Sequence, residues 1–392
     1  MTTNLYIFNP EHDLALANYS DFYQAPLSAR TFAKDLALLP IWFSENPTEI
    51  LVNEKIDSEL PSCFLRLLPN NINIVTKPSS SINKIIPWGW NPAVRQNLST
   101  LGISKTLLPT QNDLDKIKQL SHRAFASEAM LFLKDTIHNA NFPNPAVSLN
   151  TLEDINLFTK RYDEIVLKAP FSGSGKGLYW NKGALTESLN GWCKRTIAKQ
   201  GCVMGEQALH KIQDFAMEFY SDQNGQISFS GYSLFQTDDA GIYKSNRLLS
   251  DSNIETELQN YISIDLIYRI KTQLLTFFGK TITSNYNGYF GVDMFIFIDS
   301  NGIFCLNPAV EINMRMTMGM VARLFYDRFV ETGKQGLFTI EHALHTDEIL
   351  HKNKLQSTQS PLKITNQKIQ SGYLSLCPIN ENTHYSVSVI IQ

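Results

Sequence analysis

Cysteine is scarce in this sequence of 392 residues. Its five cysteines are scattered, odd in number and never spaced as CxxC: Cys63, Cys193, Cys202, Cys305 and Cys377. Such spacing supports neither a disulfide framework nor a structural zinc site. A reducing, cytoplasmic setting is therefore expected.

The sequence also lacks a charge excess, a long apolar run and a histidine metal motif. Its net charge of −3 gives no basic surface for nucleic acid or anionic lipid. No apolar run is long enough to cross a bilayer, and the N-terminus has no secretory signal pattern. No HExxH occurs, and EHALH, with His342 and His345 one helical turn apart, predicts only a solvated helix face. Neither nucleic acid nor a membrane is an expected partner.

What is present is the composition of a globular protein, with 43% hydrophobic and 18% charged residues. The length predicts two or three compact units. The apolar stretches NLYIF, EILVN and INIVT alternate with helical stretches, so a Rossmann-like α/β domain is expected over residues 1–110. Further on, residues 254–280 predict one long amphipathic helix. After about residue 330 we expect a helix, a polar segment and two closing strands.

The stretch NPEHDLALA directly follows the first predicted strand. Asn9 and Pro10 suit the start of a helix, and acidic residues in its first turn suit the helix dipole. Ligands of open α/β sheets bind beyond the carboxyl ends of the strands, where this stretch lies. Glu11, His12 and Asp13 are therefore candidates for a ligand site, with plain helix capping as the alternative.

A glycine-rich loop follows the predicted strand DEIVLKAP. In VLKAPFSGSGKGL the glycines let backbone N–H groups approach phosphate oxygens, and Lys168 adds a positive charge. The loop is not a P-loop, because Pro170 and Gly177 stand where that motif needs Gly and Ser or Thr. A phosphate-covering loop and a simple hairpin tip both remain open.

The stretch GYFGVDMFIFIDSNGIFCLNPAVEINMRMTMG predicts a hairpin around the turn DSNG. Glu311 and Asn313 leave the second strand on one face, and a three-residue turn would place Asp293 diagonal to Glu311. Two carboxylates and an amide oxygen are hard ligands that suit Mg²⁺. Arg315 would point the same way and could bind a phosphoryl oxygen. An internal salt bridge between Arg315 and one of the acids is the alternative.

The order of these features is similar to that of the ATP-grasp superfamily. VDMFIF…VEINMR resembles its acidic strand pair, and LKAPFSGSGKGL resembles its phosphate-covering loop. The resemblance covers roughly residues 105–330 and implies an α+β ATP-grasp fold of two lobes behind the Rossmann-like domain. The expected segments are 111–205 and 206–330 for the two lobes and 331–392 for a helical and β extension.

The resemblance also implies cofactors, ATP and Mg²⁺ with Mn²⁺ as a substitute, and roles for individual residues. It makes Asp293, Glu311 and Asn313 the metal ligands and Arg315 the phosphate-binding arginine. At the position of a lysine common in the superfamily this chain has Arg123, which is not interchangeable with lysine. The other nucleotide contacts would lie in the glycine loop, the adenine hinge MGEQAL and the strand after it: Lys168, Ser174, Gly175, Gly177, Glu206, Gln207, Leu209 and Asp214.

The stretch TDDAGIYKSNRLLSDS resembles the mobile loop that closes over substrate in this superfamily. Lys244, Asn246 and Arg247 would then contact the γ-phosphate or an acyl phosphate. An exposed polar loop without such a role is the alternative.

The acceptor substrate of ATP-grasp enzymes generally lies between the first domain and the lobes. By this resemblance, the acidic stretch Glu11, His12 and Asp13 would recognise the acceptor, for instance its ammonium group. Three residues of PWGWNPAVRQ would wall the same cleft, or else form a packed loop: Trp88, Trp90 and Arg95.

The activity implied is ATP-dependent ligation, in which a carboxylate is activated as an acyl phosphate and attacked by an amine or similar nucleophile. The expected partners are small-molecule carboxylate and amine substrates, and superfamily habit suggests a homodimer. Two alternatives remain: a small-molecule kinase that stops at phosphorylation, and a nucleotide-binding protein without catalysis.

Overall fold

A computed structural model describes residues 3–45, 47–55, 60–69, 71–173, 177–222, 224–238, 241–282 and 286–392. Within these ranges, no helix combines the length and apolar character that crossing a membrane requires.

The first domain is built on a four-stranded parallel sheet in the order β3-β2-β1-β4. Its strands are β1 Thr3–Ile7, β2 Thr48–Leu51, β3 Ile72–Val75 and β4 Ile82–Pro87. Its helices are α1 His12–Asn18, α2 Leu27–Asp35, α3 Ser62–Leu67 and α4 Pro92–Thr100, with 3₁₀ turns at Leu39–Trp42 and Lys105–Leu107. The parallel sheet with connecting helices confirms the predicted Rossmann-like architecture.

A small antiparallel sheet follows, in the order β5-β8-β6-β7. Its elements are β5 Val147–Leu149, α7 Leu152–Phe158, β6 Glu164–Lys168, β7 Leu178–Lys182, α8 Glu187–Gln200 and β8 Val203–Gln207. Two helices precede it, α5 Gln111–Ser121 and α6 Ala124–Thr136. Apolar residues of both α5 and α6 belong to the core under the large sheet described next, not to the core of this small sheet.

The large sheet has nine strands in the order β13-β12-β9-β10-β11-β14-β17-β16-β15. The strands are β9 His210–Ser221, β10 Ile227–Thr237, β11 Tyr243–Leu248, β12 Gly288–Ile298, β13 Phe304–Asn313, β14 Gly336–His342, β15 Lys363–Thr365, β16 Lys368–Ser375 and β17 Tyr385–Ile391. The accompanying helices are α9 Asp251–Gln259, α10 Ile264–Thr281, α11 Met318–Phe329 and α12 Thr346–Gln359. Strands β14 to β17 of the segment 331–392 therefore belong to this nine-stranded sheet.

Alternating side chains give the large sheet two different faces. Phe215, Met217 and Phe219 of β9 point to one face and pack with helices α6, α9 and α10 in a single apolar core. The residues of β9 that alternate with them, Asp214 and Glu218 among them, point to the opposite face. Helix α11 covers one end of that opposite face, so a polar surface remains beside it for a functional site.

Three local predictions were wrong. Residues 254–280 form two helices, because the chain turns at 260–263 and the second helix begins after its N-cap residue Ser263, whose side chain makes no capping hydrogen bond. The polar segment after residue 350 lies in helix α12. His342 ends strand β14 and its ring stacks on Tyr385 at 4.4 Å, whereas His345 precedes α12, so the two histidines do not share a helix face.

Candidate active site

The acidic hairpin forms strands β12 and β13 at one edge of the large sheet. Asp293 lies directly opposite Glu311, and Gly291 lies opposite Asn313. The predicted diagonal placement of Asp293 was wrong for two reasons. Five residues, 299–303, connect the strands, and β13 bulges between the pairs Asp293–Glu311 and Phe295–Asn307. Pro308 stands in this bulge, where a residue without an N–H group interrupts no ladder hydrogen bond.

Two facing carboxylates in a buried setting favour a bound cation. The Asn313 amide donates to Asp293 Oδ2 at 3.0 Å. Burial and the neighbouring Glu311 carboxylate raise the pKa of Asp293. Like charges directly opposite each other on a sheet repel. A divalent cation between the two carboxylates would therefore offset their electrostatic repulsion. Among the described residues no three His, Cys, Asp or Glu side chains form a metal cluster, so the fit rests on two carboxylates and one amide.

Arg123 bridges the two lobes beside these carboxylates. Its Nη1 lies 2.8 Å from Glu311 Oε2, while Nε donates to the Ala169 carbonyl at 3.0 Å and Nη2 to Ser172 Oγ at 3.1 Å. The side chain is buried, with 7% of its surface exposed. A planar guanidinium can serve three separate acceptors in this way, and a lysine ammonium at this site could not reach all of them.

Lys168 and the predicted hinge occupy adjacent strands of the small sheet. Lys168 ends β6 and forms an ion pair with Glu206 of β8. Gln207 ends β8, and Leu209 lies in the short connection to β9. The lysine and the hinge are thus neighbours, as a shared nucleotide site would require.

The glycine loop lies between β6 and β7. Ser174 and Gly175 fall outside the described residues. Gly177 has φ of +82°, which favours glycine, and its carbonyl accepts a hydrogen bond from the Ala169 N–H at 2.9 Å. The described base of the loop is therefore a closed, hydrogen-bonded turn.

Asp214, the predicted ribose-binding residue, lies on the polar face of β9. Its Oδ2 accepts from Lys211 Nζ at 2.6 Å and from Thr237 Oγ1 at 3.0 Å. Beside it opens a cavity of about 890 Å³, lined by the ends of β9, β10, β11 and β14 with Trp180 of the small sheet. Lys244 lines the same cavity and is exposed.

The structure separates the three candidates of strand β11. Lys244 is open to the cavity, whereas Asn246 is buried. Arg247 lies opposite Leu234, a residue of the helix-covered core, and its Nη1 pairs with Glu257 of α9 at 2.8 Å. Arg247 is therefore on the face away from Asp293, which argues against a catalytic role.

The acidic stretch after β1 reaches the edge of the large sheet. Helix α1 starts at His12, later than expected, and the Asn9 amide donates to the Gly89 carbonyl at 2.8 Å instead of capping the helix. Asp13 Oδ2 accepts from Arg315 Nε at 3.0 Å and from Nη2 at 2.7 Å. Arg315 thus pairs with an acid of the first domain rather than with the hairpin acids.

Glu11 and His12 differ in their access to solvent. Glu11 is partly exposed, and burial raises its pKa. His12 is fully buried against Gly89, and burial lowers its pKa to about 4. The Gly89 backbone approaches the ring, but neither ring nitrogen makes a well-aligned hydrogen bond within the described residues. His12 is therefore neutral and inaccessible.

The second stretch proposed for the cleft is mostly packed. Trp88 is buried with its ring 5.0 Å from that of Phe8, and Trp90 packs partly buried between two cores. Both tryptophans line a cavity of about 70 Å³ between the first domain and the large sheet. Arg95 on α4 lies 3.5 Å from Asp21. Because both tryptophans pack in apolar cores and line only a small cavity, the alternative of a packed loop fits them better than a role in lining a wide cleft.

Sequence reasoning missed one acidic residue of this face. Glu218 on β9 lies opposite Gly291, is 1% exposed, and accepts hydrogen bonds from Thr317 Oγ1 at 3.0 Å and Ser233 Oγ at 3.2 Å. Burial, with a smaller contribution from Asp293, raises its pKa to about 8. The one signal in the sequence was a single acid within the apolar stretch FAMEFY.

No family model matches the chain, and no curated protein matches its sequence. Solved structures do share its fold. N5-carboxyaminoimidazole ribonucleotide synthetase from Thermus thermophilus is 12% identical, with a TM-score of 0.52 over 100% of this chain and 94% of that one. The biotin carboxylase domain dimer of Hydrogenobacter thermophilus 2-oxoglutarate carboxylase, in complex with MgADP, ADP and bicarbonate, is 11% identical, with a TM-score of 0.51 over 100% and 86%. Biotin carboxylase from Campylobacter jejuni, solved as a β-γ-ATP complex, is 12% identical, with a TM-score of 0.50 over 100% and 87%.

The chain has the ATP-grasp fold. The fold prediction is thereby confirmed, including the Rossmann-like first domain. Within this ATP-grasp fold Arg123 connects the small lobe to Glu311 of the large sheet, and Arg315 connects that sheet to Asp13 of the first domain. All three parts of the fold meet around the candidate site.

Proposed function

We propose that this chain is an ATP- and magnesium-dependent ligase that joins a small-molecule carboxylate to an amine or similar nucleophile. The observation that carries the proposal is the pair Asp293 and Glu311, face to face on the polar side of the large sheet with Arg123 beside them. The shared fold of structures solved with MgADP and an ATP analogue supports it.

The nucleotide would lie between the two lobes. Asp293, Glu311 and Asn313 would hold Mg²⁺, which supplies neutralisation of the phosphate charge. Lys168 and Arg123 would bind phosphate oxygens, and in doing so each would leave its present carboxylate partner. Three hinge residues would face the adenine edge, and one acid would take the ribose hydroxyls: Glu206, Gln207, Leu209 and Asp214.

In the first step a substrate carboxylate oxygen attacks the γ-phosphorus, and ADP leaves. In the second step the amine nitrogen attacks the acyl carbon, loses a proton and expels phosphate. Arg315 would stabilise charge on the transferred phosphoryl group, and Lys244 would assist from the adjoining cavity. No covalent protein intermediate is needed.

The acceptor would bind between the first domain and the large sheet, near Glu11 and Asp13. Two carboxylates in a partly buried position favour a cationic group such as an ammonium. This assignment leaves His12 as a packing residue, because its ring is fully buried.

The proposal is tested by incubating the protein with MgATP and mixed metabolites, while following ADP release and product mass. Glu311→Gln serves as the control and should release no ADP, because it removes one metal ligand. Hydroxylamine added to active mixtures should yield a hydroxamate, since only an acyl phosphate reacts in this way. ADP release with a stable phosphorylated product and no hydroxamate would identify a kinase instead. Full activity of Glu311→Gln would refute the metal assignment.

A further inference from the structure

Asp13 lies where three parts of the protein meet. It belongs to α1 of the first domain, and its Oδ2 accepts two hydrogen bonds from Arg315 at the edge of the large sheet, at 2.7 and 3.0 Å. A Cβ atom built on Gly173 of the glycine loop would lie 3.0 Å from the same oxygen. Asp13 therefore contacts or closely approaches residues of the first domain, the large sheet and the glycine loop at the same time.

The Asp13–Arg315 pair is shielded from solvent, with 16% and 14% of the two side chains exposed. Burial alone would raise the pKa of Asp13, but the Arg315 guanidinium, with smaller contributions from His12 and Arg123, holds the pKa below its usual range. A shielded carboxylate that loses its cation is strongly destabilised. Arg315 can thus leave Asp13 only if another positive group replaces it.

Among the residues that the structure describes, no other side chain around Asp13 is free to replace Arg315. Among the described residues, the cations with the largest influence on the Asp13 carboxylate are Arg315 itself, Arg123 and, when charged, His12. Arg123 is held by Glu311 and the Ala169 carbonyl, and in the nucleotide-bound state proposed above it would be held by phosphate oxygens instead. His12 is neutral, because burial lowers its pKa to about 4. Within the described part of the chain, a positive group supplied by a ligand is therefore the remaining source.

We propose that Asp13 is a specificity-determining residue that exchanges partners during the reaction. It holds Arg315 while no terminal phosphoryl group is bound, and it binds a cationic amino group of the acceptor once Arg315 has turned to that phosphoryl group. This inference rests on the proposed ligase function. It adds that the acceptor carries an amino group bound as its cation, which passes one proton to the Asp13 carboxylate before its nitrogen attacks the acyl carbon. It also adds that acceptor binding is coupled to the γ-phosphate and not to the nucleotide in general.

The coupling predicts opposite responses to two nucleotides. In Asp13→Asn, Arg315 is no longer held, so the non-hydrolysable analogue Mg·AMP-PNP should bind at least about fivefold more tightly than to the wild type. MgADP, which lacks the γ-phosphate, should bind with unchanged affinity. Isothermal titration calorimetry on the full chain measures both. Asp13→Ser, with the same expected result, serves if the asparagine variant does not fold.

Glu54→Gln is the matched control. It removes the same charge from an exposed ion pair with Lys34 in the same domain, and should change neither affinity. Equal or weaker Mg·AMP-PNP binding in both Asp13 variants, when folded, would overturn the inference. Failure of the wild type to bind either nucleotide would instead refute the proposed function.

The acceptor half of the inference is tested with methylammonium as the probe. At equal ionic strength, methylammonium chloride should tighten Mg·AMP-PNP binding to the wild type relative to sodium chloride, because it can replace Arg315 at Asp13. The effect should be lost in Asp13→Asn and absent with MgADP. Equal effects of the two salts on the wild type would contradict a cationic acceptor at Asp13.

Discussion

At the scale of single residues, Glu218 shows how the sheet accommodates an acid without solvent. Its carboxylate occupies space that two glycines leave open, since a Cβ on Gly291 would lie 2.6 Å from Oε2 and one on Gly319 2.5 Å from Oε1. Hydroxyl groups of Thr317 and Ser233 satisfy it in place of water. Burial then favours the protonated form.

Glu218 should therefore make stability depend on pH. Its folded-state pKa of about 8 exceeds the ordinary value of 4.5, so the folded protein retains a proton that the unfolded chain releases. Stability conferred by that proton is present at low pH and is lost as pH rises through about 8. Glu218→Gln should gain stability relative to the wild type between about pH 5 and 8, by at most about 1.4 kcal/mol per pH unit. Urea unfolding across this range measures the difference, and parallel curves would contradict it.

Arg123 is the second residue whose chemistry can be tested by itself. Replacement by lysine keeps the charge but cannot serve Glu311, Ala169 and Ser172 together. Arg123→Lys should lower the free energy of unfolding by about 1–3 kcal/mol, because buried acceptors lose a charged donor. Chemical denaturation measures the loss. An unchanged midpoint would indicate that the three contacts contribute nothing to stability.

At the scale of secondary-structure elements, the start of α11 is fitted closely onto the large sheet. Thr317 caps the helix by accepting from the Met320 N–H at 2.9 Å and also donates to Glu218. Gly319 in the first turn leaves no room for a side chain, because Ser233 Oγ and the carboxylate of Glu218 both lie against it. Arg315 lies two residues before Thr317, so the hydrogen bond from Thr317 to Glu218 holds the chain just after Arg315 against the large sheet.

Two glycine-to-alanine changes should separate this fit from ordinary helix propensity. Gly319→Ala should destabilise the protein by about 1–3 kcal/mol, because the methyl group displaces Glu218 or α11. Gly279→Ala in α10 is the matched control, since nothing lies within 4 Å of a Cβ there. It should be neutral or stabilise by up to about 1 kcal/mol. Thermal unfolding compares the two, and equal effects would contradict a close fit at Gly319.

At the scale of the whole molecule, ion pairs join parts of the chain that lie far apart in sequence. Arg315 joins the large sheet to the first domain, and Arg123 joins it to the small lobe. Lys168 and Glu206 form a third pair within the small sheet. If MgATP binds as proposed, Mg²⁺ replaces the basic side chains as partner of the acidic ones, and the phosphates replace the acidic side chains as partners of the basic ones.

Magnesium nucleotide should therefore stabilise the entire fold. At a hundredfold excess over its dissociation constant, MgADP should add about 2.7 kcal/mol to the free energy of unfolding. Glu311→Gln should lose most of this gain, and a chelator should abolish it in the wild type. Glu164→Gln, which alters an exposed ion pair with Lys182, is the control and should keep it. A gain of equal size in Glu311→Gln would place the metal elsewhere. Thermal shift assays decide between these outcomes.

Local chemistry written in the sequence was sufficient for several conclusions. The apolar stretches with turn signals indicated which segments form strands. The residue types of Asp293, Glu311 and Asn313 predict a magnesium site, which stays a prediction. The ATP-grasp fold was predicted from the resemblance of the ordered motifs to that superfamily, whereas strand alternation and turn residues, which act within a few neighbouring positions, indicated only individual elements.

Tertiary structure alone decided which groups face one another. The bulge at Pro308 brings Asp293 opposite Glu311, strand pairing turns Arg247 to the helix-covered face, and two glycines 28 positions apart make room for Glu218. Likewise, Arg315 forms its ion pair with Asp13, which lies 302 positions away in the chain. Register and packing between distant segments depend on many contacts made at once, and no short stretch of sequence contains them.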